Sequence, residues 1–417
     1  MGYPLLYETM AKAKAAANVL ALSTGHDRNA FLKNLIGLLE SESGAIAQAN
    51  AGDLEKAKSD GASLATIDRL ALSEKSLKGL IEGIKVCLGF DDPLESGEGY
   101  APTKTGLLVG RKRIPLGLIG FICEARPGAV IEAAAIAVKS GNALLAKPGR
   151  ESALTSGVLG QIMKKALSAA RLPAEAVTVL PELSHDEIKF AISQDELLDL
   201  VIPRGGESLI RFVAENSKVP VLKHYKGVNH QYVDKSADLG LAVKLAVNGK
   251  CNRPSTCNAL ECLLVHKDVA GEYLPLVCRE LKEKGVTVYA CQRARDLVAG
   301  LNQAKEDHFG KEFLSLEMAL KIVDGFEDAL AHIAKYGSKH TETICAQDQQ
   351  TAKAFLKRVD ASCVMVNAST RLNDGGCLGL GAEIGISTSK IHAYGPMGIN
   401  ELTTRKFVVL GEGQVRE

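Results

Sequence analysis

Apolar residues recur every third or fourth position through the first ~90 residues, with charged residues between them, which predicts a run of amphipathic helices. HDRNAFLKNLIGLLESESGAIAQANAGDLEKAKSDG is the clearest case. Glycine and proline then break the pattern in DDPLESGEGYAPTKTGLLVGRKRIPLGLIGFICEARPG, whose TGLLVGRKRIPLGLIGFI portion is strand-like. From about residue 130 helix and strand alternate. AVIEAAAIAVKSG is helical, NALLAKPG a buried strand, ESALTSGVLGQIMKKALSAARL a helix, AVTVLPEL a strand and SHDEIKFAISQ a helix. LLDLVIPRGGESLIRFVAENS follows as strand, turn and helix, and VPVLKHYKG as a further strand. This order argues for an α/β fold with a parallel sheet covered by helices on both faces. In such sheets a ligand is expected at the C-terminal strand ends.

A second alternating stretch begins near Val228. HQYVDKSADLGLAVKLAVNGKCN and ALECLLVHKDVAGEYLPLVCRELKEKG each predict strand then helix, and VTVYAC and CVMVNAST are strands. The tail TTRKFVVLGEGQVRE carries a strand with no obvious partner nearby in the chain, a pattern that suits pairing with another domain or subunit.

Composition narrows the possibilities further. A chain of 417 residues has room for two or three domains. Lys plus Arg number 50 against 49 Asp plus Glu, which argues against nucleic acid or an anionic membrane as the main partner. No apolar run reaches membrane-spanning length, and the N-terminus lacks both a secretion signal and a transit peptide pattern. Ten scattered cysteines in so long a chain fit free thiols in a reducing, cytoplasmic setting.

Among the thiols, Cys251, Cys257 and Cys262 have none of the close pairing of a structural zinc site, and no H-E-x-x-H exists, so no metal is expected. Cys262 lies inside the apolar LECLLV and is expected to pack in the core. Cys257 stands where the polar loop CNRPST meets that strand, the kind of junction at which a nucleophile faces a cleft. Arg204, Gly205, Gly206, Glu207 and Ser208, in IPRGGES between a strand and a helix, form either a phosphate-binding turn or a plain βα connection. Lys147 and Arg150, in LLAKPGRES, are either ribose and 2′-phosphate ligands or a solvated basic turn. GLGAEIG has misplaced glycines for a dinucleotide fingerprint. His332 and His340, in HIAKYGSKHTE, are expected to be structural, since their spacing suits no common metal motif. The long stretch VNASTRLNDGGCLGLGAEIGISTSKIHAYGPMG suits a loop that binds a small polar substrate.

Five segments together resemble one family closely. They are IPLGLIGFICEARPG, DLVIPRGGESLIRFVAENSKVPVLKHYKGVNHQYVD, TCNALECLLVH, VDGFEDALAHIAKYGSKHTETI and the stretch from VNASTRLNDGG through KFVVLGEGQVR. They resemble the γ-glutamyl phosphate reductases, a family within the aldehyde dehydrogenase superfamily, and the resemblance spans essentially the whole chain. It implies a Rossmann-like cofactor domain over residues 1–226, interrupted by flap strands near 100–115. A catalytic domain over 227–390 and a return segment with an oligomerisation strand over 391–417 complete it.

The implied reaction is reduction of L-glutamyl 5-phosphate by NADPH to the semialdehyde, NADP⁺ and phosphate, in proline biosynthesis. Cys257 matches the family nucleophile, with its own N–H as an oxyanion donor and Asn258 or Arg126 as the second. Lys147 matches the ribose-binding lysine, Arg150 beside it favours NADPH, and Glu312 resembles the glutamate that holds the nicotinamide ribose. Most of the family has Arg-Gly-Gly where this chain has Lys147, Pro148 and Gly149. Arg126, Arg371, Ser387, Thr388 and His392 are candidates for the substrate's anions, and Asp374 or Glu383 for its ammonium. The resemblance further implies a homodimer or homotetramer and a separate glutamate 5-kinase that can associate with it. KHYKGVNH begins with Lys223 and His224 where oxidising relatives carry a glutamate base. That disfavours the rival reading, an NAD(P)-dependent oxidation of an aldehyde. Two further rivals are a zinc-dependent histidinol dehydrogenase-type enzyme and a non-catalytic scaffold.

Overall fold

The computed structural model describes residues 3–95, 97–380 and 382–416, so Gly381, in the GLGAEIG stretch, lies outside it. The chain divides into two units. The first holds residues 1–223, 379–385 and 397–417, and the second holds 224–378 and 386–396.

The helical periodicity at the start becomes five helices: α1 (Pro4–Ala21), α2 (Gly25–Ser41), α3 (Ser43–Ser59), α4 (Leu64–Leu70) and α5 (Glu74–Gly89). Capping hydroxyls start three of them. Thr24, Ser63 and Ser73 each accept an N–H from the first turn, meeting donors that the helix leaves unpaired. Strands β1 (Gly97–Pro102) and β2 (Leu108–Pro115) follow. Then comes the alternating run β3 (Leu118–Cys123), α6 (Pro127–Lys139), β4 (Ala143–Lys147), α7 (Ala153–Ala169), β5 (Val177–Val179), α8 (His185–Ala191), β6 (Leu200–Arg204) and α9 (Glu207–Asn216). The four strands β3 to β6 form a parallel sheet in the order β5-β4-β3-β6. Every side chain of β3 is buried, as expected of a parallel strand covered on both faces. Gly117 precedes it at φ +131, and a Cβ there would stand 2.1 Å from Asp199 Oδ2, the carboxylate that accepts the Leu118 N–H at 2.7 Å.

The second unit contains β7 (Asn229–Val233), α10 (Leu239–Cys251), β8 (Leu260–His266), α11 (Lys267–Glu283), β9 (Thr287–Ala290), α12 (Gln292–Leu297) and β10 (Asn302–Gln303). It continues with β11 (Glu317–Val323), α13 (Phe326–Tyr336), β12 (Thr341–Cys345), α14 (Gln349–Arg358), β13 (Cys363–Val366) and the short β14 (Ile386–Ser387) and β15 (Gly395–Pro396). Seven of these strands make one parallel sheet in the order β10-β9-β11-β8-β7-β12-β13. All seven residues of β8 are buried, each large apolar one stabilising the fold by roughly 1.5–3 kcal/mol.

The tail strand β16 (Thr403–Leu410) pairs antiparallel with β2 over eight residues, giving the sheet β1-β2-β16. The tail therefore finds a partner in its own chain, in the strands near residues 100–115. That pairing, with the Ile384 and Met397 backbones bonded at 3.0 Å, returns 379–385 and 397–417 to the first unit. The resemblance assigns 379–390 to the catalytic lobe; of these, 386–390 lie in the second unit and 379–385 in the first.

VPVLKHYKG is not a strand. It makes a single bridge, Val201 to Val221, and the chain then passes into the second unit at His224. Strands β11 and β12 and helices α13 and α14 went unassigned in the sequence reading. Among the described residues, no helix is long and apolar enough to cross a membrane.

Candidate active site

Cys257 lies in the loop 252–259 between α10 and β8. The loop is held at both ends. Lys250, at the end of α10, pairs with Glu261, at the start of β8, at 2.6 Å, and both side chains are almost wholly buried. Burial pushes the Glu261 carboxyl up to about 7, against the pull of Lys250. Truncating either partner strands the other charge in the core, at a cost of about 3–5 kcal/mol. Inside the loop, the Ala259 N–H donates to Thr256 O at 3.0 Å.

Asn229, the fully buried first residue of β7, holds the nucleophile in register. Its Nδ2 donates to Cys257 O at 2.7 Å and to Ala259 O at 2.6 Å. Gly227 lies so close that a Cβ there would stand 1.9 Å from Cys257 O, so only glycine fits. Arg371, on a single 3₁₀ turn, closes the other side. It donates from Nη1 to Thr256 Oγ1 at 2.9 Å and to Asn258 Oδ1, and from Nε to Asn252 Oδ1 at 3.2 Å.

Two histidines face the thiol. One ring nitrogen of His224, one of His340 and the Cys257 sulfur all lie within 4.8 Å of one another. The two rings meet edge to face, centroids 5.3 Å apart. His224 Nδ1 lies 2.8 Å from Ile386 O, and a carbonyl only accepts, so Nδ1 carries the proton and Nε2 is the basic nitrogen of the neutral ring. His340 is fully buried, its Nδ1 2.7 Å from Thr341 Oγ1 and its Nε2 without a partner of ordinary hydrogen-bond geometry. Burial raises the pKa of Cys257. The charge and hydrogen bonding of His340 and His224 outweigh it and hold the thiol well below the ordinary thiol range. Cys123 and Cys345 show the contrast: burial pushes each thiol up to about 12.

This site lies at the N-terminal edge of its sheet, because Asn229, Cys257 and His340 sit at or just before the first residues of β7, β8 and β12. The C-terminal-end rule therefore does not describe this lobe. The physical reason is that β8, β7 and β12 are neighbours, so their entry loops converge. The assignment of His340 as merely structural is corrected by the same convergence. Its signal in the sequence was weak, since 83 residues separate it from Cys257. Asn229 and Gly227 also escaped the sequence reading.

The other candidates fall into place as follows. Asn258 is buried, with Nδ2 donating to Asn373 O at 2.9 Å and to Arg371 O at 3.4 Å, so its amide fastens the loop. Ser387 is buried on β14 beside Ile386, Thr388 is half-buried and His392 is exposed. Asp374 Oδ1 accepts the N–H groups of Gly376 and Cys377. Glu312 Oε1 accepts the Gly227 N–H at 2.9 Å, and burial raises its pKa.

In the first unit, Lys147 and Arg204 stand at the C-terminal ends of β4 and β6, which flank β3. Burial lowers the pKa of Lys147, with Glu151 opposing. Arg150 is exposed and donates to Glu182 O at 3.3 Å. Arg204 lies 3.6 Å from Glu383. Gly206 caps α9 and its N–H donates to Glu124 Oε2 at 2.9 Å, so a carboxylate already meets that helix end. Glu207 pairs with Arg211, and Ser208 follows in the first turn. Arg126 is the N-cap residue of α6, after Ala125 at φ +28, whose N–H donates to Glu151 at 2.6 Å. Cationic side chains at the C-terminal edge of this sheet fit the phosphates and riboses of a dinucleotide.

Residues 6–288 match the model of the aldehyde dehydrogenase family. A γ-glutamyl phosphate reductase from Thermus thermophilus is 51% identical over 411 residues, covering 99% of this chain and 98% of that one. This chain belongs to the γ-glutamyl phosphate reductases of the aldehyde dehydrogenase family. The solved structure of the γ-glutamyl phosphate reductase from Thermotoga maritima superposes with a TM-score of 0.95 at 40% identity, covering 99% of this chain and 100% of that one. An acetylating aldehyde dehydrogenase from Geobacillus thermoglucosidasius shares the fold, with a TM-score of 0.73 at 18% identity over 99% of this chain and 97% of that one. Members of the aldehyde dehydrogenase family use a nicotinamide cofactor. The family settles two sequence-based alternatives in its own favour, the zinc-dependent histidinol dehydrogenase type and the scaffold.

Proposed function

We propose that this chain reduces L-glutamyl 5-phosphate with NADPH to L-glutamate 5-semialdehyde and phosphate, the second step of proline formation from glutamate. One observation carries the reading: a thiol faced by two histidines within 4.8 Å, in a chain similar over its full length to reductases of that name.

The Cys257 thiolate attacks the acyl carbon, and the bond from that carbon to the phosphate oxygen breaks. Inorganic phosphate leaves with the electron pair, and an enzyme thioester remains. The Cys257 N–H is the first donor to the tetrahedral oxyanion. Arg371 and Asn258 hold the loop that presents the sulfur, Arg371 through Thr256 and Asn258 through Asn373. Lys147, Arg150 and Arg204 hold NADPH in the first unit, and Arg150 favours the 2′-phosphate. When bound, NADPH would supply the hydride needed at the thioester carbon. The C–S bond then breaks, the aldehyde leaves, and the sulfur returns to the thiolate that His224 and His340 stabilise.

Within the second unit, the anions of the substrate fall to Ser387, Thr388 and His392. The sheet β1-β2-β16 exposes Phe407, Val409 and Leu410, which supports a homo-oligomer built through it.

The reverse reaction tests the reading. Protein is mixed with glutamate semialdehyde and NADP⁺, and NADPH is followed with and without inorganic phosphate. NADPH that forms only with phosphate, and not with Cys257→Ala, is the expected result. Equal rates without phosphate mean that water resolves the thioester, and the rival aldehyde-oxidising dehydrogenase is then the correct reading.

A further inference from the structure

The nucleophile has the surroundings of a metal ligand as well as those of a thiolate. Three potential ligand atoms, two from imidazoles and one sulfur, lie within 4.8 Å of one another. A tetrahedral zinc ion, with bonds of about 2.0–2.3 Å, separates its ligand atoms by roughly 3.3–3.8 Å. Small side-chain rotations close that difference, and Cys257 and His224 are only half-buried.

The rings are already arranged for ligation. His224 Nδ1 is committed to Ile386 O, which leaves Nε2 with its lone pair. His340 Nδ1 contacts the Thr341 hydroxyl, which can accept as well as donate, so that ring too can present a bare Nε2. That Nε2 is buried and has no partner of ordinary hydrogen-bond geometry. A carbonyl or hydroxyl on the far nitrogen is the usual outer support of a metal-bound histidine.

We infer that His224, Cys257 and His340 form an inhibitory site for a thiophilic divalent cation of the zinc type, which occupies the nucleophile and blocks turnover reversibly. The inference rests on the reading of Cys257 as the nucleophile. A second group, His230, Cys262 and His332, has similar ligand spacing but is fully buried. There His230 is bonded to Glu342 at 3.0 Å, His332 Nδ1 lies 3.4 Å from Lys321 Nζ, and Cys262 Sγ lies 3.7 Å from His332 Nε2. An ammonium beside the cluster and no exposed ligand make it the poorer cation site, and it serves as the control.

The binding itself is tested without turnover. The rate of iodoacetamide alkylation at Cys257 is read by peptide mass spectrometry, with and without zinc, and cobalt binding is followed by its thiolate charge-transfer absorption. The expected result is one cation per chain, at least tenfold slower alkylation with zinc, and recovery on adding a chelator. His224→Ala and His340→Gln should each weaken zinc protection at least tenfold, while Cys262→Ser leaves it unchanged. Circular dichroism and melting curves confirm that each variant is folded. If His340→Gln does not fold, His224→Ala carries the test alone. Protection indifferent to both histidines, lost in Cys262→Ser, or absent altogether overturns the site. Cys257→Ala without turnover but with no zinc effect on the native protein refutes the metal inference and leaves the nucleophile standing. Zinc bound by the native protein while Cys257→Ala retains turnover refutes the nucleophile instead.

Discussion

Asn229→Ala is the most informative single substitution. One buried amide nitrogen serves two carbonyls, Cys257 O and Ala259 O, at 2.7 and 2.6 Å. A hydrogen bond contributes about 0.5–1.5 kcal/mol net, and a carbonyl left buried without a donor costs about 1–3 kcal/mol. Removing the amide withdraws both bonds, and partial relaxation or entry of water recovers some of the loss. We expect destabilisation of roughly 2–4 kcal/mol, a large share of a typical stability of about 5–15 kcal/mol. The loss reaches the chemistry as well, because these carbonyls fix the backbone on either side of Asn258, next to the nucleophile. A misplacement of about 1 Å at a reacting atom costs on the order of 100-fold in rate. Asn229→Asp should be worse, since it sets carboxylate oxygen against carbonyl oxygen in a buried place. Urea unfolding gives the stability change, and phosphate-dependent semialdehyde oxidation gives kcat/KM. A variant within 0.5 kcal/mol of the native protein and within about twofold in kcat/KM would refute the assignment of Asn229 as the residue that positions the loop.

Three further outcomes follow from the same geometry. Because the pKa of Cys257 is depressed, its alkylation rate should stay high as pH falls below the ordinary thiol range and drop only through the depressed pKa; His224→Ala or His340→Gln should move that fall to higher pH, and no movement would remove the histidines from the activation of the thiol. Gly227→Ala, with its Cβ driven against Cys257 O, should lower kcat/KM at least about 100-fold, and an active variant would show that the loop can yield. Burial, with the charges of His230 and Lys321 adding to it, pushes His332 down to about 2, so the unfolded chain binds a proton there that the folded one refuses. Stability from this group is full above its unfolded value of about 6.5 and is lost as pH falls from there towards 2, so His332→Leu should flatten the acid limb of a stability-against-pH curve.

Much was legible from order along the chain. Period-3.6 apolar spacing predicts the opening helices, and the alternation after residue 130 predicts the first parallel sheet and four strands of the second, because each pattern reports which face of a local element is buried. The place of Cys257 at the join of CNRPST and ALECLLV was readable for the same local reason. Other features belong to the tertiary structure alone. A parallel sheet places strands side by side without regard to their distance in sequence, and the order β8-β7-β12 brings Asn229, Cys257 and His340 to one edge. No periodicity records that adjacency. It makes a histidine 83 residues away part of the site. It also ties Arg371 and Asn258 into the hydrogen bonds that hold the loop. The sequence determined which elements form and which thiol stands at a junction. The fold decided which side chains surround that thiol and hence how readily it ionises, because pKa depends on distance and burial, and both are set by strand order.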